Sequence, residues 1–200
     1  SRALLADAAH MLTDVGALAL SLFAIWFAQR PATPEKTYGY LRLEILAALL
    51  NGATLIVLSV FIFLEAIERL RDPVEIRGGL MLAVAAGGLV VNIIAAVMLH
   101  RSAGENLNVR GAYLHVLGDL LGSVGAITAA VVILLTGWSP ADPIISIFVA
   151  ALILFSGWKL LRESVEVLLE SVPAHIDLVD VQRAIDEIPG VDDEHDLHVW

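Results

Sequence analysis

Residues 4–14 read Leu-Leu-Ala-Asp-Ala-Ala-His-Met-Leu-Thr-Asp, which puts ionisable side chains inside an otherwise apolar run. A carboxylate at the centre of a membrane helix is disfavoured by about 2.5–3.5 kcal/mol on insertion scales, so such residues usually face the interior of a bundle. His10 and Asp14 are four residues apart and therefore share one face of a helix, and Asp7 lies one turn earlier on that side. The pattern predicts a membrane helix with an inward-facing polar group, in which Asp7 is either a further wall of a cavity or a helix-end residue.

The same pattern returns much later in the chain. Residues 115–119 read His-Val-Leu-Gly-Asp, again His-x-Leu-x-Asp within an apolar segment. One such pair alone is as readily a hydrogen-bonded structural pair as a pair of ligands, but its repetition on two predicted spanning helices favours a shared metal site. The four predicted ligands are His10, Asp14, His115 and Asp119.

The composition places the chain in the integral-membrane class. Of its 200 residues, 58% are hydrophobic and 17% charged, and the mean hydropathy is +0.80. Cysteine is absent, which excludes disulfides, thiolate metal sites and cysteine-based catalysis. A bound metal ion must therefore be held by His, Asp or Glu.

The net charge of −10 lies entirely in the C-terminal tail. Residues 1–162 sum to zero, whereas residues 163–200 contain eleven acids and Arg183 as their single base. An acidic tail speaks against nucleic acid as a partner, and it suits either a solubilising surface or the attraction of cations.

Five apolar runs are each near the roughly 20 residues that cross a membrane. The basic residues around them number seven on one side and three on the other, so the positive-inside tendency places the seven-base side and the tail in the cytoplasm. We predict a transmembrane domain over residues 1–165 and the beginning of a C-terminal cytoplasmic domain over residues 166–200. The predicted spans cover approximately residues 3–27, 43–64, 78–99, 112–136 and 144–161.

The tail has the pattern of a soluble element. Apolar residues repeat at helical spacing after Asp177, a predicted N-cap, and Pro189 and Gly190 are expected to end that helix. Leu197 and Val199 then alternate with polar residues, as in a strand. Helix followed by strand predicts the start of a small α+β domain. Because the chain stops within this predicted strand, we expect it to be part of a longer protein.

The four predicted ligands suit a divalent ion such as zinc. Imidazole nitrogen and carboxylate oxygen bind zinc at about 2.0–2.2 Å, commonly in a tetrahedron. Two neutral imidazoles and two carboxylates carry two negative charges, which a divalent ion cancels. Protons compete for the same ligands, because the reference pKa of histidine is about 6.5. A site that opens alternately to either side would exchange a cation for protons, as an antiporter does.

These motifs resemble those of the cation diffusion facilitator family of metal/proton antiporters. The resemblance implies an all-α polytopic membrane bundle with six spanning helices, of which five lie in this chain, followed by a ferredoxin-like cytoplasmic domain. It also implies a homodimer. The resemblance rests on residues 4–14, on Tyr-Gly-Tyr-Leu-Arg-Leu-Glu-Ile-Leu-Ala-Ala-Leu-Leu-Asn-Gly at 38–52, on residues 115–119 and on His-Asp-Leu-His-Val-Trp at 195–200.

The resemblance further implies zinc as the transported substrate, cadmium or cobalt as secondary ions, protons as the exchanged ion, and no organic cofactor. The absence of a histidine-rich loop favours a bacterial type of protein, embedded in the lipid of the inner membrane. The resemblance also suggests a second, cytoplasmic metal site, at which zinc would be a regulatory ligand. Its candidate ligands are His195, His198 and His175.

Two other classes of protein stay open as alternatives, a membrane metalloenzyme and a membrane-bound metal sensor. A catalytic zinc site normally keeps one position open for water beside a general base, and the sequence has no His-Glu-x-x-His motif and no spare Glu next to either pair. A sensor would not require ligands buried in lipid. The preferred interpretation is therefore a transporter, not an enzyme, that exports Zn²⁺ from the cytoplasm in exchange for H⁺.

Overall fold

A computed structural model describes residues 19–37, 39–72, 78–104, 106–173, 175–190 and 195–199, together with Gly16. Within these ranges the chain forms six helices and contains no strand, and the four long helices pack together as a bundle. The helices are α1 (Ala19–Ala28), α2 (Arg42–Arg71), α3 (Gly78–His100), α4 (Leu107–Thr136), α5 (Ala141–Leu168) and α6 (Leu178–Asp186).

Four of these helices, α2 to α5, are long and apolar enough to cross a membrane. They coincide with the last four predicted runs, and the prediction of a helical membrane-type bundle is confirmed. The first predicted run, residues 3–27, lies largely outside the described residues, and its described part is the short apolar helix α1. The described residues therefore do not support a count of five spans.

The helices extend beyond the apolar runs because hydropathy marks the membrane and not the helix end. α2 continues to Arg71 through Glu and Arg residues, which are good helix formers, and Arg69 Nη2 lies 3.9 Å from Oε1 of Glu65 one turn earlier. α4 begins at Leu107 because the Asn106 side chain accepts hydrogen bonds from two backbone N–H groups of the first turn, at 2.8 and 3.2 Å.

The backbones of α2 and α5 approach each other closely where both carry glycine. A Cβ atom at Gly157 would lie 3.0 Å from Leu55 Cβ and 3.2 Å from the carbonyl oxygen of Gly52. Small residues allow such contacts between membrane helices, where dispersion contacts replace the hydrophobic effect as the driving force. Leu55 also joins Val149 and Ile153 in the buried apolar cluster, and α5 packs against both α2 and α4, which also contact each other.

The outer surface of the bundle is apolar. On α3, Val84, Val97 and Met98 are among the exposed large hydrophobic side chains. Trp138, in the turn between α4 and α5, is also exposed, and tryptophan is enriched where a membrane meets water. This surface fits surroundings of lipid.

In the tail, Asp177 caps α6 as predicted, since its carboxylate accepts a hydrogen bond of 2.9 Å from the backbone N–H of Val179. The predicted strand at residues 195–199 is wrong, because that segment has no regular structure. Asp196 has a left-handed φ of 56°, which interrupts an extended run, and the segment pairs with no other strand of the described chain. The described residues thus do not support the start of a ferredoxin-like domain.

Candidate metal centre

His115 and Asp119 lie one turn apart on α4, inside the bundle. The His115 side chain is 3% exposed and that of Asp119 is 25% exposed, and His115 Nε2 lies 3.8 Å from Asp119 Oδ2. Two ligands of a tetrahedral zinc ion at about 2.1 Å stand about 3.4 Å apart, so a small side-chain rotation brings this pair to ligand geometry.

Small residues on α4 allow the neighbouring helices to close over this pair. A Cβ atom at Gly118 would lie 3.3 Å from Ile153 Cγ1 of α5, and one at Gly111 would lie 3.2 Å from Asn51 Cβ of α2. These glycines therefore let α2 and α5 pack closely against the backbone of α4, and this packing buries the imidazole of His115.

A cavity of about 710 Å³ adjoins the pair, within the 300–1,000 Å³ that is typical of ligand sites. Its walls are mostly apolar and come from α2, α3, α4 and α5. It extends from the level of His115 toward the turn that joins α4 to α5. Within the described part of the chain, the polar or ionisable residues that line it are Asn92, His115, Asp119, Ser123, Asp142 and Ser146.

The other half of the predicted site, His10 and Asp14, lies outside the described residues, as does Asp7. Within the described residues no group of three or more His, Asp or Glu side chains could hold a metal ion. The structure therefore describes one of the two predicted ligand pairs, and the joining of the two pairs stays a prediction.

The three histidines predicted for a cytoplasmic site are exposed. His175 follows the end of α5, and His195 and His198 lie in the irregular segment near the C-terminus. His198 Nδ1 is 2.6 Å from the backbone carbonyl oxygen of Asp196, so part of its hydrogen-bonding capacity is used locally.

Three buried polar side chains near the candidate site were not predicted as a group. Asn51 Nδ2 donates to Ser21 Oγ at 2.9 Å, and Asn108 Nδ2 donates to the Ser21 carbonyl oxygen at 2.8 Å. Each residue is at most 4% exposed. We call Ser21, Asn51 and Asn108 the polar node; it joins α1, α2 and α4. Asn108 precedes His115 by seven residues, so both lie on the same face of α4. This spacing is the feature of the sequence that could have predicted Asn108 as a buried residue near the site.

An ion pair at the opposite end of the cavity was also missed. Arg69 Nη1 lies 2.6 Å from Asp142 Oδ2, which joins α2 to α5. In the sequence Asp142 stands between two prolines in what looks like a turn, so nothing marked it as a cavity residue.

The sequence model of a protein family, that of the cation efflux transmembrane domain, matches residues 1–169 of the chain. The chain belongs to the cation diffusion facilitator family. Its relatives within the family include the zinc transporter ZitB of Escherichia coli (strain K12), which is 53% identical over 202 residues. The "Cadmium, cobalt and zinc/H(+)-K(+) antiporter" of Bacillus subtilis (strain 168) is 48% identical over 203 residues. The metal cation efflux system protein CzcD of Cupriavidus metallidurans (strain ATCC 43123 / DSM 2839 / NBRC 102507 / CH34) is 47% identical over 200 residues.

These matches cover the whole of this family member but only part of its relatives. The chain corresponds to 64% of the length of the E. coli protein, 65% of the B. subtilis protein and 63% of CzcD. The resemblance predicted from the motifs is thereby confirmed at the level of the family.

Proposed function

We propose that this family member carries Zn²⁺ out of the cytoplasm in exchange for H⁺. The ion is held by His10, Asp14, His115 and Asp119 in a tetrahedral site between two membrane helices. The observation that carries the proposal is a buried imidazole and a carboxylate oxygen 3.8 Å apart, on an apolar helix and facing a cavity. The names of the relatives, a zinc transporter and a cadmium, cobalt and zinc antiporter, support zinc as substrate with cadmium and cobalt beside it.

The charges of the four ligands support exchange with protons. Two carboxylates and two neutral imidazoles balance one divalent ion, so the filled site is close to neutral inside the membrane. When the ion leaves, protons offset the remaining charge, because the same nitrogen and oxygen atoms bind either a proton or the metal. A cation and protons therefore occupy the site in turn.

The arrangement around His115 supports alternating access. On one side of it lies the cavity that extends to Asp142. On the other side the polar node ties α1, α2 and α4 together by hydrogen bonds between buried side chains and backbone. Breaking the node while the cavity closes would move the opening of the site from one side of the membrane to the other.

The proposal also covers the location of the protein, its assembly and its C-terminal domain. The protein lies in the inner membrane of a bacterium as a homodimer, with a cytoplasmic C-terminal domain of ferredoxin-like fold that begins at about residue 166. In this domain His175, His195 and His198 contribute to a second site at which zinc regulates transport. If removal of residues 172–200 changed neither the metal dependence of flux nor dimerisation, this regulatory role would be wrong.

Zinc flux in proteoliposomes with an imposed proton gradient tests the proposal. Asp119→Asn and His115→Gln should each abolish gradient-dependent zinc movement, because each removes one ligand of a closed four-ligand site. His100→Gln is the matched control, since His100 ends α3 beside Tyr113 and does not line the cavity. Full flux in Asp119→Asn would contradict the proposed site.

A further inference from the structure

A second carboxylate lines the cavity that adjoins His115 and Asp119. Asp142 lies in the first turn of α5 and is 6% exposed. Gly118, next to Asp119 on α4, is level with Ile153 of α5. Because Asp142 precedes Ile153 by eleven residues, its carboxylate lies about 16 Å further along the bundle. A cation that leaves His115 and Asp119 through the cavity therefore passes Asp142.

Asp142 is held by an arginine that stands outside the cavity. Arg69 Nη1 is 2.6 Å from Asp142 Oδ2, and the Arg69 side chain is 30% exposed. Arg69 is not one of the residues that line the cavity. The guanidinium carries its positive charge at every accessible pH, so it is a fixed counter-charge behind the wall of the cavity.

The geometry of this pair is not the one that gives the greatest stability. An arginine binds a carboxylate most strongly through two parallel N–H···O bonds, whereas this contact joins Nη1 to one oxygen. Arg69 Nε is buried and has no hydrogen-bond partner among the described residues. A buried ion pair is weak evidence for stability in any case, since desolvation offsets most of the attraction. Tying α2 to α5 is thus a poor explanation for a pair that leaves a buried donor unpaired.

Electrostatics gives a better explanation. A bare carboxylate on the wall of a cavity of low dielectric constant would attract and retain a divalent cation, and a bare guanidinium would repel it. Together the two charges largely cancel, so the pair neither retains nor repels a cation that moves along the cavity. The Asp142 carboxylate can still bind zinc through an oxygen atom, which is a ligand that zinc accepts. The neighbouring positive charge of Arg69 weakens this binding.

We propose that Asp142 contacts the divalent cation as it leaves the site through the cavity, and that Arg69 is a positioning residue that keeps Asp142 from retaining this cation. This role rests on the proposed function and adds a second, weakened point of contact along the cavity. The cation touches Asp142 in passing, while Arg69 acts only through Asp142.

Three variants of the full chain test the contribution of each charge by removing them singly and together. Arg69→Gln uncovers the carboxylate, so the protein should bind one additional zinc ion at equilibrium while its maximal flux falls about tenfold. Asp142→Asn leaves the guanidinium with exposed Glu65, 3.9 Å away on the same helix, as its remaining counter-charge, so flux should fall by a smaller factor than in Arg69→Gln and without an additional bound ion. The double variant Arg69→Gln/Asp142→Asn removes both charges and should recover flux to within about threefold of the wild type.

A second ion pair in the same bundle provides the matched control. Arg110 Nη1 and Glu163 Oε2 are also 2.6 Å apart and partly buried, at 35% and 27% exposed, and neither residue lines the cavity. Arg110→Gln and Arg110→Gln/Glu163→Gln should bind no additional zinc.

Equilibrium dialysis with Zn²⁺ alone counts the bound ions, and proteoliposome flux measures transport. An unchanged zinc count in Arg69→Gln, or a double variant as slow as Arg69→Gln, would overturn the role given to Arg69. A wild type that carries no zinc would instead contradict the proposed function, so the two failures are distinguishable.

Discussion

Single residues decide how the helices are held beside the candidate site, and the polar node is the clearest example. Ser21 accepts from Asn51 through its hydroxyl oxygen and from Asn108 through its backbone carbonyl. Hydrogen bonds between membrane helices contribute about 0.6 kcal/mol on average and up to about 1.7 kcal/mol. The node is therefore weak enough to open in the proposed transport cycle and strong enough to favour one arrangement.

A double-mutant cycle over Ser21→Ala and Asn51→Ala tests this contact. We expect a coupling free energy of about 0.5–1.5 kcal/mol, because each single change already removes the hydrogen bond. Unfolding in mixed detergent micelles measures it. Ser164→Ala is the control partner in place of Ser21→Ala, since buried Ser164 bonds to Leu160 within its own helix. A coupling near zero for Ser21 and Asn51 would show that the node contributes nothing.

The sequence indicates the candidate ligands better than it indicates their surroundings. The pair His115 and Asp119 stands out because an ionisable group in an apolar run is rare and its spacing is local. The contact of Arg69 with Asp142 spans 73 residues, so no local pattern indicates it. Long-range polar contacts depend on how helices pack, which periodicity does not specify.

At the scale of helices, glycine sets the spacing between α2 and α5. Gly52 and Gly157 face each other, with no room for a side chain on either. Hydropathy predicted where these helices lie because each must cover a hydrocarbon core. It did not predict their polar extensions, and the alternation at Leu197 and Val199 did not produce a strand, because a strand forms only against a partner.

Gly157→Ala should destabilise the bundle by about 1–3 kcal/mol, because the new Cβ would overlap atoms of α2 that have little freedom to move. Gly87→Ala, within α3, is the control, since no atom of the described residues lies within 4 Å of a Cβ there. Detergent-denaturation midpoints of the two variants measure the difference. Equal midpoints for both variants would mean that α2 and α5 tolerate a wider separation.

At the scale of the whole molecule, the four long helices fix which loops share a side of the membrane. The turn after α3 and the turn after α4 must lie on opposite sides if α4 spans once. The bias of basic residues predicts that the first of these turns lies in the cytoplasm. The helical class follows from hydropathy, and the charge bias predicts the orientation, whereas the fold of the tail depends on contacts that its own pattern does not specify.

Introduced cysteines test this orientation without interference, because the chain has none of its own. Ser139→Cys, in the turn after α4, should react with a membrane-impermeant thiol reagent in intact cells. Ser102→Cys, after α3, should react only once the cells are permeabilised. Labelling of both positions in intact cells would contradict the assigned topology.

The most direct test of the central claim records zinc and proton movements together in proteoliposomes that contain the full chain. Zinc moving in one direction should drive protons in the other, and both movements should disappear in Asp119→Asn. Zinc movement that leaves the internal pH unchanged, or coupled movement that survives Asp119→Asn, would contradict this claim.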